Sequence, residues 1–170
     1  MEKEKIESQV TSLLTNYGYD FEKDTHVDII SFTKRLGFLV GNAQLEDNED
    51  GFLLIQPNDS HDKIIGVNAN RSLAFKRFVI AHELAHFILH YERGQVYLHR
   101  DHKKGKDNDE NDADYFAAAL LLPSVSFKRV YNKLTKDGLN ENAACLELAN
   151  IFNVPYESVS RRISEVFLEN

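Results

Sequence analysis

Residues 77–90 constrain the fold most, because they carry an H-E-x-x-H motif at His82, Glu83 and His86 in an apolar stretch without glycine or proline. This composition predicts a helix, and apolar residues around most of its circumference predict that it is buried. Helical residues four apart lie on one face, with Cβ atoms about 6 Å apart. Two such imidazoles can bind one tetrahedral Zn²⁺, each at about 2.0–2.1 Å.

Glu83 lies one step around the helix, where it can reach a water at such an ion but cannot easily ligate the ion itself. Two neutral ligands, an open coordination position and a general base are what a metal-assisted hydrolase requires. The alternative is an amphipathic core helix with two surface histidines. The apolar neighbours favour the metal, because buried imidazoles need polar partners.

Composition limits the classes of protein and of partner. A chain of 170 residues fits one domain, with or without a small appendage, and its formal charge of −7 disfavours general binding to nucleic acid or anionic membranes. The longest apolar run, residues 116–122, is too short to cross a bilayer, and residues 1–5 do not resemble a signal peptide. The single cysteine, Cys145, excludes an internal disulfide. We therefore expect a cytoplasmic protein without membrane contact.

The pattern of apolar residues predicts an α+β fold. A small antiparallel or mixed sheet of about three strands packs on the motif helix, and a helical C-terminal part follows. The predicted helices cover residues 2–17, 28–36, 72–91, 110–122, 124–136, 141–152 and 156–168, and the predicted strands cover residues 38–43, 51–56 and 63–68.

Residues 92–109 are polar and charged, and include a basic patch at residues 103–106. Their composition predicts a mobile surface loop, and their length is typical of a lid or a binding loop. His99 and His102 fall in this segment, so the sequence predicts surface roles for them rather than ligation.

A catalytic zinc site needs a third protein ligand, and an acidic stretch precedes the apolar helix at residues 110–122. Glu110, Ala113 and Asp114 share one face of that helix, whereas Asp112 points away from it. We therefore predict Glu110 as the ligand and Asp114 as the acceptor for a zinc-bound imidazole N–H, with Asp112 as the alternative ligand. The competing interpretation is an acidic first turn that only favours the helix dipole.

Other positions are candidates for contacts with a substrate. Tyr91, Tyr115 and His90 could stabilise an oxyanion, although we favour a structural role for each. His90 cannot share one ion with His82, because eight helical residues span about 12 Å. Residues 52–56 could form a sheet edge that pairs with an extended substrate, with an interior strand as the alternative.

Taken together, these segments resemble the ImmA/IrrE family of metallopeptidases, which are gluzincin-like zinc enzymes. The similarity rests on H-E-L-x-H at residues 82–86, E-x-x-A-D-x-F-A at 110–117 and L-L-L-P at 120–123, and it extends over residues 25–167. It implies an endopeptidase that cleaves a helix-turn-helix repressor of the XRE type and so derepresses its genes, as in phages and other mobile elements. The cofactor would be Zn²⁺, and the ligand set also accepts Mn²⁺ or Fe²⁺.

Residues 146–163 follow the pattern of a helix-turn-helix, with Arg161 and Arg162 on the second helix. DNA binding through these arginines is one interpretation. We favour a helix pair that packs on the peptidase core or docks the repressor substrate, because two basic residues are few and the chain is acidic. The sequence thus predicts a metallopeptidase core at residues 1–123 and a helical segment at 124–170.

Two functions compete with peptide hydrolysis. The chain could be a DNA-binding regulator whose metal site is structural, or an antitoxin-like partner that acts by binding alone. Glu83 favours the hydrolase, because a structural metal site has no use for a base at that position.

Overall fold

The computed structural model describes residues 1–57, 63–102 and 108–167. The helices of this part of the chain are α1 (Lys3–Tyr17), α2 (Ile29–Arg35), α3 (Leu73–His90), α4 (Asn108–Leu121), α5 (Ser124–Lys136), α6 (Glu141–Phe152) and α7 (Tyr156–Phe167). The strands are β1 (Leu39–Ala43), β2 (Glu49–Ile55), β3 (Lys63–Asn68) and β4 (Tyr97–His102). The basic patch at residues 103–106 lies outside the described residues.

The strands form one mixed sheet in the order β1-β3-β2-β4. β1 runs parallel to β3, whereas β2 is antiparallel to both β3 and β4. The predicted α+β class is confirmed: a small sheet packs on the motif helix, and helices follow it. The sheet has four strands rather than about three, because β4 forms within the segment that was predicted as a loop.

β2 is an interior strand, so of the two alternatives for residues 52–56 the interior strand is confirmed and the sheet edge is wrong. The register places Leu53 opposite Ile65 of β3 on one side and opposite His99 of β4 on the other. The sequence assigned no strand to residues 97–102 and therefore left β2 without its second neighbour. The outer strands of this sheet are β1 and β4.

Helix α3 lies against β2 and β3, and its buried Val79 is next to Gly51 of β2. Its first turn begins at Ser72, whose hydroxyl accepts a hydrogen bond from the amide of Phe75. A Cβ atom on Gly51 of β2 would lie 2.5 Å from Cγ1 of Val79. Only a glycine at position 51 lets the strand approach the helix this closely.

Helix α4 is packed between α3 and α1. Small residues on its buried face permit this close packing, because Ala113, Ala117 and Ala119 are all inaccessible to solvent. The acidic first turn of α4 is thereby placed beside α3. No helix in the described residues has the length and hydrophobicity that a membrane-spanning segment requires.

The C-terminal helices α6 and α7 form the expected pair, joined through Asn153, whose positive φ of 53° ends α6. Arg77 of α3 donates a hydrogen bond of 3.0 Å to the carbonyl oxygen of Asn153. Arg162 of α7 has no exposed surface, and its Nε donates to the carbonyl oxygen of Leu122 at 3.1 Å. These bonds attach the helix pair to the core, while a domain boundary after residue 123 stays a prediction.

Candidate metal centre

The candidate metal-binding cluster combines two histidines of α3 with an acid from the first turn of α4. The Nε2 atoms of His82 and His86 are 3.1 Å apart, and both side chains are buried. Glu110 places Oε2 at 3.2 Å from Nε2 of His82 and Oε1 at 3.4 Å from Nε2 of His86. Ligand atoms at about 2.1 Å from a tetrahedral ion are separated by about 3.4 Å, so these spacings suit one ion.

The chemistry of these donors also fits a divalent cation. Asp114 Oδ1 lies 3.0 Å from Nδ1 of His82, which fixes that nitrogen as a donor and directs Nε2 toward the cluster. Two imidazole nitrogens and a carboxylate suit Zn²⁺, and they also accept Mn²⁺ and Fe²⁺. His82, His86 and Glu110 are thus the residues that could hold the ion.

Burial and the neighbouring carboxylates set the charge of each side chain in this cluster. Burial opposes the charged ring of His82, but hydrogen bonds to Asp114 and Glu110 outweigh burial and raise its pKa to about 10. Burial lowers the pKa of His86 to about 3, with the neighbouring histidine charges acting in the same direction. Hydrogen bonds from His82 and His99 hold the pKa of Glu110 well below its usual range. Glu110 is therefore an anion and His86 a neutral imidazole, which are the forms that ligate a metal.

Glu83 lies beside the cluster, and its side chain has no exposed surface. Its Oε2 is 3.0 Å from Nδ1 of His99, a residue of β4. The other ring nitrogen of His99, Nε2, is 2.9 Å from Oε1 of Glu110. The ring of His99 also stacks on that of His86, with centroids 3.7 Å apart. The base predicted from the motif is therefore joined to the candidate ligands through a histidine that the sequence did not predict.

The prediction of a surface role for His99 is wrong. Burial lowers the pKa of this histidine, but hydrogen bonds to Glu110 and Glu83 outweigh burial and raise the pKa to about 9. Both ring nitrogens are therefore protonated at neutral pH, and each donates to one of the two carboxylates. The charged composition of residues 92–109 predicts a loop and gives no indication of strand β4. Residues 97–102 show no alternation of apolar and polar residues, because Leu98 and Arg100 are both exposed while His99 between them points toward the cluster.

The carboxylate of Asp114 connects the cluster to the C-terminal helix pair. Its Oδ1 contacts His82, and its Oδ2 accepts a hydrogen bond of 3.3 Å from Arg161 of α7. Arg161 is held in turn by Glu165, at 2.8 Å from Nε. The sequence does not predict this contact of Arg161, because residue spacing cannot show that α7 lies over the first turns of α4.

Two residues predicted near the site face away from it. Asp112, the alternative ligand, forms an ion pair with the N-terminal amine of Met1. Tyr115, a candidate for the oxyanion, donates its hydroxyl hydrogen to Glu7 of α1 at 3.1 Å. The structure does not bring either side chain to the cluster.

The other two oxyanion candidates lie at the end of α3. The ring of His90 is 5.5 Å from that of His86 between centroids, and its Nδ1 lies 3.7 Å from Oδ1 of Asp109. The hydroxyl of Tyr91 donates to the carbonyl oxygen of Gln95 and caps the turn that follows α3. His90 is thus adjacent to the cluster, while the hydroxyl of Tyr91 is bound within its own turn.

Comparison with known proteins gives a consistent result. Residues 33–164 match the sequence profile of the IrrE N-terminal-like domain, Peptidase_M78. The chain is similar to Metallopeptidase ImmA of Bacillus subtilis (strain 168), with 27% identity over 113 residues, which cover 66% of this chain and 63% of that protein. This chain therefore spans less than two thirds of that relative's length.

A solved structure shares the fold. A Mycobacterium tuberculosis transcriptional regulator superposes with a TM-score of 0.60 at 19% sequence identity, over 95% of this chain and 46% of the regulator. This chain thus corresponds to less than half of that protein.

Proposed function

Since the chain belongs to the ImmA/IrrE family of metallopeptidases, whose IrrE N-terminal-like domain matches residues 33–164, we propose that it is a zinc-dependent endopeptidase. Its substrate would be a helix-turn-helix repressor of the XRE type, whose cleavage derepresses the genes that the repressor controls. The similarity to a protein named as a metallopeptidase supports this activity. We also propose a cytoplasmic location, which the single cysteine supports.

The observation that carries the proposal is the convergence of His82, His86 and Glu110 beside a fully buried Glu83. A metal site that only stabilises a fold is closed by four protein ligands, whereas a catalytic site has three and an open position. The three candidate ligands leave such a position. A buried carboxylate next to it has a direct use as an acid–base group.

The residues would divide the reaction as follows. A bound Zn²⁺ would polarise the scissile carbonyl and lower the pKa of water at the site. His82, His86 and Glu110 would hold the ion, and Asp114 orients the ring of His82 through its Nδ1. Glu83 takes the proton from the attacking water on its carboxylate and delivers it to the nitrogen of the leaving amine.

The edge of β4 offers a place for an extended substrate. In the described part of the chain, β2 pairs with one side of β4 and no strand pairs with its outer side. A peptide that adds to this edge would run beside His99, whose ring contacts both Glu83 and Glu110. Main-chain hydrogen bonds would then bind the peptide with little dependence on its sequence.

The test uses the purified chain with the repressor encoded next to its gene, with and without a chelator. Glu83→Gln should bind zinc like the unsubstituted protein, because Glu83 is not one of the converging ligands. Cleavage should fall by roughly 10²–10⁴-fold, the usual contribution of a general acid–base group. Glu147→Gln, a matched change at an exposed position on α6, should leave cleavage unchanged.

The outcomes separate the competing functions. Zinc-dependent cleavage that Glu83→Gln abolishes supports the peptidase. A stable complex with the repressor and no cleavage supports the antitoxin-like partner. A DNA-binding regulator with a structural metal site has less support, because Arg162 is fully buried and Arg161 is hydrogen-bonded to Asp114.

A further inference from the structure

We propose that His99 is a positioning residue that joins the general base to the third metal ligand through its two ring nitrogens. One nitrogen orients the carboxylate of Glu83, and the other orients that of Glu110. The effect on cleavage rests on the proposed function. The effect on metal binding does not, because it needs only the three converging ligands.

Two contacts fix the position of the His99 ring. Its backbone pairs with Leu53 in the middle of the β2–β4 ladder, which sets the face of the strand on which the ring lies. Stacking on His86 then fixes the plane of the ring. With backbone and plane both set, the two nitrogens can act as donors of defined direction.

Both carboxylates need such a donor, for different reasons. Glu110 lies in the first turn of α4 with 21% of its side chain exposed, so packing alone does not select its rotamer. The donor at 2.9 Å holds its Oε1 near Nε2 of His86. Glu83 must present a carboxylate oxygen to the attacking water, and the donor at 3.0 Å fixes the orientation of its carboxylate. One ring thereby sets the geometry of metal binding and of proton transfer.

Substitution of His99 by a residue with an amide side chain can test its contacts with Glu83 and Glu110 separately. The nitrogen of an asparagine is as many bonds from Cβ as Nδ1 of histidine, and that of a glutamine is as many bonds from Cβ as Nε2. His99→Asn therefore retains a donor for Glu83 only, and His99→Gln retains a donor for Glu110 only. His99→Phe keeps the stacking on His86 and removes both donors. Arg100→Gln, the next residue on the opposite face of β4, is the matched control.

Zinc affinity is measured by competition with a chromophoric chelator, and kcat and KM are measured with the repressor. We expect the zinc affinity of His99→Gln to exceed that of His99→Asn and His99→Phe, which lose roughly 10- to 100-fold, the usual effect of removing a group that orients a ligand. We expect kcat of metal-saturated protein to fall further in His99→Gln than in His99→Asn, and Arg100→Gln to match the unsubstituted protein. Thermal melts identify any variant that has lost the fold.

Equal zinc affinities for His99→Gln, His99→Asn and His99→Phe would overturn the proposal, whether or not any peptide is cleaved. If the variants show the expected order of zinc affinities but the unsubstituted protein does not cleave the repressor, the proposed peptidase activity is wrong. The proposed role of His99 in orienting Glu110 is supported in that case. If cleavage occurs and kcat falls equally in His99→Gln and His99→Asn, the link to Glu83 is wrong.

Discussion

Replacing Arg162 with methionine tests whether α7 is part of the core or a DNA-reading helix. The guanidinium has no exposed surface. It donates to the carbonyl oxygen of Leu122 at 3.1 Å and lies 2.6 Å from Oε1 of Glu7 and 3.5 Å from Oε2 of Glu165. Methionine fills a similar length without a charge, so the substitution removes these polar contacts and leaves most of the packing.

The expected loss of stability in Arg162→Met follows from the polar groups that lose their partner. Loss of a charged hydrogen bond to a buried carbonyl oxygen costs about 1.5–3 kcal/mol. Glu165, with 3% of its side chain exposed, keeps Arg161 as a partner, whereas Glu7, with 26% exposed, can regain water. Breaking a buried ion pair typically destabilises a protein by about 3–5 kcal/mol. We therefore expect the free energy of unfolding to fall by about 3 kcal/mol or more, a large part of the roughly 5–15 kcal/mol of a typical domain.

The measurement is urea denaturation followed by circular dichroism, with Arg161→Met as the control. Arg161 is 43% exposed, so its replacement should change the free energy of unfolding by less than about 1 kcal/mol. Gel shifts of both variants on operator DNA complete the comparison. If Arg162→Met unfolded like the unsubstituted protein but abolished binding to DNA, the packing described for α7 would be incorrect.

Two further substitutions probe the metal centre and its support. Asp114→Ala should weaken zinc binding by roughly 10- to 100-fold in a chelator competition, because Nδ1 of His82 loses its acceptor. Asp112→Ala is the control and should leave zinc affinity unchanged. A loss of zinc affinity in Asp112→Ala but not in Asp114→Ala would make Asp112 the acid that supports the site. Gly51→Ala should lower the free energy of unfolding by about 1–3 kcal/mol in urea, because its Cβ would lie 2.5 Å from Cγ1 of Val79 and 2.9 Å from the carbonyl oxygen of Gly66. An unchanged unfolding midpoint for Gly51→Ala would show that α3 does not pack closely against β2 at Gly51.

Short-range sequence patterns were sufficient to predict most residues of the candidate site. The H-E-x-x-H motif and the helical pattern of apolar residues placed His82, Glu83 and His86 on one helix. The two histidines share a face because four residues make slightly more than one helical turn. The same geometry selected Glu110 and Asp114 over Asp112, and the structure brings the first two to the cluster. These predictions needed only the geometry of a single helix and the preferences of a metal ion.

Contacts between distant elements could not be predicted in this way. His99 lies in a segment whose charges indicate solvent, and its burial depends on β2 supplying the adjacent strand. Likewise, Arg161 contacts Asp114 only because α7 packs over α4, 47 residues earlier in the chain. Such pairings are set by the packing of whole elements, which local sequence does not encode.

The residues that converge on the cluster lie between positions 82 and 114, and Arg161 is the later exception. Closing a short segment costs less chain entropy than closing a long one, so α3, β4 and α4 can assemble before the C-terminal helices arrive. The contact between Arg161 and Asp114 instead closes a segment of 47 residues, and it therefore depends on the docking of the C-terminal helix pair.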